Sequence, residues 1–262
     1  MQLPATWSAT APGYAELAIG QFSHYAEEAL RLVPLEAGHH VLDVGAGPGT
    51  LTLLAAPRVE HVTAIDFAAG MLEQLAARAI RAGVRNVEAM VMDAQSLELP
   101  DQGYDAVFCM FVPDRPRALG ELHRVLRPGG RAVVATWGPI DRRPFMKVGF
   151  DAMAEAFPDL PQPPKGDLQA PDECERELRE AGFSDVVARV CSASVRAESP
   201  ERYLEVLART APPLVALRGK LGAEGWASAE PRLLSALRNR IPAGGVDLSA
   251  EAILTVGTRS RA

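Results

Sequence analysis

The sequence predicts an α/β protein built on a doubly wound, Rossmann-like and mostly parallel sheet. Short apolar segments and amphipathic helical segments alternate five times between residues 41 and 137. The first apolar segment ends in a turn with three alternating glycines, and several of the apolar segments end in an acid. Apolar runs that are buried on both faces are typical of parallel strands, and their alternation with helices is typical of a doubly wound sheet.

Composition excludes several classes of protein. The chain has 262 residues, of which 48% are hydrophobic and 23% are charged, and its formal net charge is −6. No cluster of Lys and Arg indicates nucleic-acid binding, and no apolar run reaches the roughly 18 residues of a membrane span. Met1-Gln2-Leu3-Pro4 does not resemble a signal peptide, so we expect a cytoplasmic protein.

Cysteine spacing argues against a metal site. Cys109, Cys174 and Cys191 are scattered, without the close pairs that zinc sites use. We therefore expect neither a structural disulfide nor a bound metal.

Prolines and glycines divide the first half of the chain into predicted helices and strands. Pro4, Pro12 and Gly13 predict an irregular start over residues 1–13, followed by one amphipathic helix over about 14–33. Five strands are predicted at residues 41–44, 59–65, 86–92, 104–111 and 131–137, with helices at 51–56, 69–82 and 115–126 between them.

Beyond Trp137 the pattern loosens. Helices are predicted at 145–157 and 171–182, a helical region cut by prolines and glycines at 200–241, and alternating strands at 184–195 and 250–257. The two late strands predict an antiparallel edge, so we expect seven strands with an antiparallel last strand and a helical lid insertion. We expect a single domain over 1–262, with an N-terminal helical cap (1–34), a cofactor-binding core (35–137), acceptor-side lid segments (138–183 and 198–249) and terminal strands (184–197 and 250–258).

The glycine turn selects among nucleotide ligands. A dinucleotide fingerprint places glycines at the first, third and sixth positions, but here the sixth position from Gly45 is Thr50 and the third glycine is Gly49. The Gly-Lys-Ser/Thr ending of a P-loop is also missing. The turn therefore suits a ligand that lies close to the backbone without a bound pyrophosphate. Asp66, at the end of the second strand, is placed to accept hydrogen bonds from a ribose, although it could instead cap the next helix.

Taken in order, these motifs resemble those of the class I S-adenosylmethionine-dependent methyltransferases, in particular the group that includes quinone and small-metabolite methyltransferases. The resemblance is carried by Val41-Leu42-Asp43-Val44-Gly45-Ala46-Gly47-Pro48-Gly49-Thr50, Asp66, Met71, Asp93-Ala94, Tyr104-Asp105-Ala106-Val107 and Arg124-Val125-Leu126-Arg127-Pro128-Gly129-Gly130.

The resemblance implies S-adenosyl-L-methionine as cofactor and S-adenosyl-L-homocysteine as product. It implies that Gly45, Ala46 and Gly47 line the methionine part, with Asp43 near its amino group through a water molecule, and that Gly49 completes the cofactor-binding turn. Asp66 would bind the ribose hydroxyls, Phe67 and Met71 would flank the adenine, and Asp93 and Ala94 would bind its polar edge. Cys109 or Met110 would lie close to the sulfonium.

Residues on the acceptor side are predicted from position. His24, on the N-terminal helix, is the histidine best placed to act as a general base, although a solvated histidine is the simpler interpretation. Tyr14, Tyr25 and Trp137 are candidates for contacting the acceptor. We expect O- or C-methylation of a small molecule by in-line methyl transfer, in a monomer or homodimer that binds neither nucleic acid nor membrane. The alternatives are a non-catalytic S-adenosylmethionine-binding protein and an NAD(P)-dependent oxidoreductase, against which Thr50 counts.

Overall fold

Seven strands form one mixed sheet in the computed structural model, which describes residues 4–111, 115–159 and 170–261. The strand order is β3-β2-β1-β4-β5-β7-β6. The strands are β1 (His40–Val44), β2 (His61–Asp66), β3 (Val87–Val91), β4 (Tyr104–Met110), β5 (Leu126–Trp137), β6 (Phe183–Ala197) and β7 (Val246–Arg259). Strands β1 to β5 pair in parallel, and β7 is antiparallel to both β5 and β6, which confirms the predicted fold class.

Nine helices accompany the sheet in the described part of the chain. They are α1 (Pro4–Leu17), α2 (Ile19–Arg31), α3 (Thr50–Ala55), α4 (Ala69–Ala82), α5 (Arg115–Val125), α6 (Pro144–Ala156), α7 (Pro171–Glu180), α8 (Pro200–Thr210) and α9 (Pro212–Arg238). Two short 3-10 turns lie at Ala56–Arg58 and Ile140–Arg142. No described helix has the length and apolar content to cross a membrane.

Alternate residues of each central strand pack against helices on opposite faces of the sheet. On β4, Ala106 and Phe108 join the cluster that contains α2 and α3, whereas Val107 and Cys109 join the cluster of α5 and α7. Both clusters are fully buried at their centres, which explains why β4 reads as a continuous apolar run.

The β6–β7 hairpin extends beyond the sheet edge at which the parallel strands end. Trp137 closes β5 opposite Ala252, but the hairpin continues for several residues to the pair Ala197 and Val246. Helices α6, α8 and α9 pack on this extension in a third apolar cluster that includes Tyr203, Leu214 and Trp226. The helical insertion therefore lies beside the carboxyl ends of the parallel strands.

The N-terminal region differs from the prediction. Residues 4–13 are helical, not irregular, and the predicted helix over 14–33 is interrupted at Ala18. Pro4 occupies the first position of α1, where a missing N–H is harmless, and α1 is held by packing against α4 and α8. Gly13 is required there, because a Cβ would lie 2.5 Å from the carbonyl oxygen of Arg209.

The prolines predicted to cut the helical region over 200–241 do not all do so, since Pro231 lies inside a helix. The helix labelled α9 changes direction at Gly222, whose φ is +67°, and then continues through Pro231 to Arg238. The middle of the predicted acceptor-side segment, residues 160–169, lies outside the described residues.

Candidate cofactor and acceptor site

The glycine turn after β1 has the geometry that its sequence predicts. Gly45, Gly47 and Gly49 have φ values of +70°, +55° and +81°, a region that residues with a Cβ rarely adopt. A Cβ on Gly49 would lie 2.7 Å from Cγ of Leu75, so this glycine is also needed for packing of α4. A Cβ on Gly47 would meet no described atom within 4 Å, so the backbone of Gly47 faces open space.

Asp66 lies beside this turn and is almost fully buried. Its Oδ2 accepts a hydrogen bond from the Gly47 N–H (2.9 Å), and its Oδ1 accepts one from the Ala68 N–H (2.9 Å). Burial raises the pKa of the Asp66 carboxyl, and the backbone donors oppose that shift by stabilising the charged form. The carboxylate therefore joins the turn to the start of α4.

Asp43 is buried more deeply, inside β1. Its Oδ2 accepts a hydrogen bond from the Thr52 hydroxyl (2.6 Å), whereas its Oδ1 is buried without a hydrogen-bond partner among the described residues. Burial is the main reason why the pKa of Asp43 rises to about 7, and the Thr52 contacts only partly oppose this rise. A buried carboxylate oxygen that lacks a partner is a site where a cationic or N–H-bearing ligand group would be stabilised.

The other predicted cofactor residues surround these acids in different environments. Ala46 is buried against α4, and its N–H donates to the Ile65 carbonyl (2.9 Å). Phe67 and Met71 pack with Trp7, Ala11 and Tyr14, so α1 covers this side of the turn. Asp93 is exposed and accepts a hydrogen bond from the Gln95 N–H (2.9 Å), and Ala94 packs at the edge of the α5 cluster.

Cys109 and Met110 do not share one environment, because neighbouring residues of a strand point to opposite faces. Cys109 is buried in the α5 and α7 cluster, whereas Met110 is half-buried and packs with the α2 cluster. Of this pair, Met110 is the residue on the face that carries the aromatic side chains described next.

An aromatic cluster lies where β4 and β5 end. Phe111 stacks on Trp137 with ring centroids 4.1 Å apart, and Phe22 and Tyr25 of α2 pack edge-on against both rings. Phe111 has a φ of +62°, a strained conformation for a bulky side chain, while its N–H donates to the Ala135 carbonyl (3.0 Å). Such backbone strain is concentrated at functional sites. Sequence reasoning missed Phe111, since no pattern marks a positive φ at a phenylalanine.

The predicted tyrosines have distinct surroundings. Tyr14 packs against Phe22 (centroids 5.3 Å apart), and burial together with the nearby charge of Asp66 raises the pKa of its phenol far above the usual range. Tyr25 is fully buried, its hydroxyl donates to the Ala250 carbonyl, and burial raises its pKa to about 12. Both phenols therefore stay protonated at neutral pH.

His24 lies apart from these groups. It is exposed and lines a surface groove of about 270 Å³ with Glu28, Arg189 and Val190, over the edge strand β6. In the sheet, β5 and β7 separate β6 from the end of β4. The structure does not bring His24 together with the acids, and its role as a base stays a prediction.

Comparison with known proteins identifies the class to which this fold and site belong. A family model described as a methyltransferase domain matches residues 41–130. The demethylmenaquinone methyltransferase of Streptomyces avermitilis is 30% identical over 200 residues, which cover 68% of this chain and 83% of that protein. The chain belongs to the class I S-adenosylmethionine-dependent methyltransferases, a family of enzymes whose cofactor is S-adenosyl-L-methionine.

Two further similarities show how much of the chain resembles known methyltransferases in sequence and in fold. The demethylmenaquinone methyltransferase of Clavibacter sepedonicus is 36% identical over 146 residues, which cover 53% of this chain and 58% of that protein, so the match spans little more than half of this relative. The solved YcgJ protein of Bacillus subtilis covers 91% of this chain and 99% of its own length with a TM-score of 0.63. At 18% identity, that similarity shows the fold alone.

Proposed function

We propose that this protein transfers a methyl group from S-adenosyl-L-methionine to a small-molecule acceptor, by O- or C-methylation. The observation that supports this most directly is the glycine turn between two buried carboxylates, one of which has an oxygen without a partner among the described residues. Such a turn at the carboxyl ends of parallel strands is where open α/β sheets bind nucleoside ligands.

The residues present fit the cofactor. Asp43 would accept from the ammonium of the methionine part, and the exposed backbone of Gly47 would let that part lie close to the turn. Asp66 would bind the ribose hydroxyls, because its backbone donors hold the carboxylate beside the turn. Phe67 and Met71 would flank the adenine, and Asp93 and Ala94 would bind its polar edge.

The cofactor supplies a methyl group activated by a cationic sulfonium, so the protein has to position the acceptor and exclude water. Met110 and the stacked pair of Phe111 and Trp137 present an apolar wall at the ends of β4 and β5. Tyr25 fixes this wall through its hydrogen bond to Ala250. The acceptor would lie against this wall, in line with the S–C bond that breaks. The electron pair of that bond would leave with the sulfur as a neutral thioether, and the proton of an O–H or C–H acceptor would pass to solvent water.

Incubation with S-adenosylmethionine labelled in its methyl group tests this proposal. The acceptors would be quinols and phenols, including a naphthoquinol, because relatives of this chain are demethylmenaquinone methyltransferases. We expect label in at least one product, and loss of that label when Asp66 is replaced by Ala. Binding of the cofactor without label in any acceptor would favour a non-catalytic S-adenosylmethionine-binding protein, and binding of NAD instead would favour an oxidoreductase.

A further inference from the structure

Arg143 is a buried cation that has no carboxylate partner within the part of the chain that the structure describes. It is the residue before α6 and is only 9% exposed. Its Nη1 donates to the thioether sulfur of Met146 (3.5 Å), and its guanidinium lies over the ring of Trp137 (6.0 Å to the centroid). Its Nε is buried without a hydrogen-bond partner among the described residues. Neither a thioether nor an indole neutralises a positive charge.

Arg115 is also buried, but unlike Arg143 it is paired with a carboxylate. Arg115 is 8% exposed, and its Nε donates to a carboxylate oxygen of Glu177 (3.0 Å). Charged side chains are rarely buried unless they are paired in this way. Among the described residues, no carboxylate forms an ion pair with Arg143, and burial alone lowers the pKa of its guanidinium.

The described surroundings of Arg143 do not supply a negative charge either. Arg143 is the residue before α6, whose first turn contains no acid, so the positive end of this helix adds to the same potential. Asp141 is exposed on the preceding turn, and Asp151 forms an ion pair with Lys147 (2.7 Å). The charge at Arg143 therefore matches an anion that a ligand would supply.

We propose that Arg143 binds an oxyanion of the methyl acceptor, and that the acceptor is a flat aromatic molecule bearing a carboxylate, phenolate or enolate oxygen. Trp137 connects the proposed anion site to the aromatic surface. It lies under the Arg143 guanidinium and stacks on Phe111 at the ends of β4 and β5. The ring of the acceptor would lie against that aromatic pair while its oxyanion meets the guanidinium. This inference rests on the proposed function, because it names the acceptor class of the same site.

A matched pair of ligands tests the charge requirement. Naphthoate and naphthamide share one ring system and differ in charge, so their affinities for the full chain saturated with S-adenosylhomocysteine can be compared by calorimetry. We expect naphthoate to bind more tightly than naphthamide. Replacement of Arg143 by Met should weaken naphthoate about 10- to 100-fold, the range for a lost hydrogen bond to a charged group, and leave naphthamide unchanged. Arg143→Lys should retain part of the preference.

The control is the neighbouring Arg142, which is exposed. Arg142→Met should leave the affinity for naphthoate unchanged.

Thermal unfolding separates ligand binding from a structural role. Arg143→Met should unfold at the same or a higher temperature, because the variant no longer buries an unpaired charge. A lower unfolding temperature with naphthoate affinity retained would overturn the proposal, as would equal affinity of the wild type for both ligands or no naphthoate binding. Failure to bind S-adenosylhomocysteine would instead overturn the proposed function.

Discussion

Replacing Asp43 by Asn should change how stability depends on pH. The pKa of Asp43 in the folded protein is about 7, against 3.8 for an ordinary Asp. The folded state therefore holds a proton that the unfolded state has lost, and the free energy of unfolding falls as pH rises between these two values. Below the lower value both states are protonated and the effect vanishes.

The size of the effect follows from the shift. Each pKa unit corresponds to about 1.4 kcal/mol, so the penalty carried by Asp43 grows by roughly 3 kcal/mol between about pH 5 and about pH 8. The Asp43→Asn side chain keeps an acceptor for Thr52 but cannot ionise. The difference in unfolding free energy, variant minus wild type, should therefore rise by that amount over the same range, even though the introduced amide group itself lacks a partner.

Urea unfolding of both proteins at about pH 5 and about pH 8 measures this difference. Asp105→Asn provides a control whose effect should stay constant over this range, because hydrogen bonds from the His40 N–H and the Arg127 guanidinium hold the pKa of Asp105 below its usual value and its carboxyl is ionised at both pH values. Stability from Asp105 is present above the unfolded pKa and is lost as pH falls through the folded one. A difference between Asp43→Asn and wild type that is constant with pH would refute the raised pKa of Asp43.

The remaining predictions concern the turn and the N-terminal helix. Gly49→Ala should destabilise the fold by more than the roughly 1–2 kcal/mol expected for a positive φ alone, since its Cβ would also clash with Leu75, as thermal unfolding can show. Gly47→Ala should cost less stability but should weaken S-adenosylhomocysteine binding in calorimetry, and unchanged affinity would contradict a ligand at this position. His24→Ala should leave turnover within about twofold of wild type, because His24 is exposed over β6; a tenfold loss would make His24 part of the mechanism.

The sheet and the cofactor turn could be predicted because their signals are local. The parallel strands contain short apolar runs, and the positive φ values of Gly45, Gly47 and Gly49 follow from a residue type that tolerates them. The predicted irregular start was wrong at α1, because Pro12 and Gly13 usually interrupt helices when only the local sequence is considered. Packing of Gly13 against the backbone of Arg209 overrides this tendency, and that contact joins residues far apart in the chain.

The acceptor side could be predicted only in part, since burial and pairing are tertiary properties. Trp137 was expected from its place at the end of a strand, and the structure puts it in the aromatic cluster. Arg142 and Arg143 are adjacent and chemically identical in the sequence, yet one is exposed and the other is buried without a carboxylate partner among the described residues. The hydrogen bond from Thr52 to Asp43 likewise spans a strand, a turn and a helix.

Titration of the wild type and of Asp66→Ala with S-adenosylhomocysteine, beside a titration with NAD, tests the central claim most directly. The account predicts binding of one S-adenosylhomocysteine per chain, about 10- to 100-fold weaker binding when the hydrogen bonds to the Asp66 carboxylate are lost, and no heat from NAD. Equal affinity of wild type and variant, or binding of NAD in preference to S-adenosylhomocysteine, would contradict it.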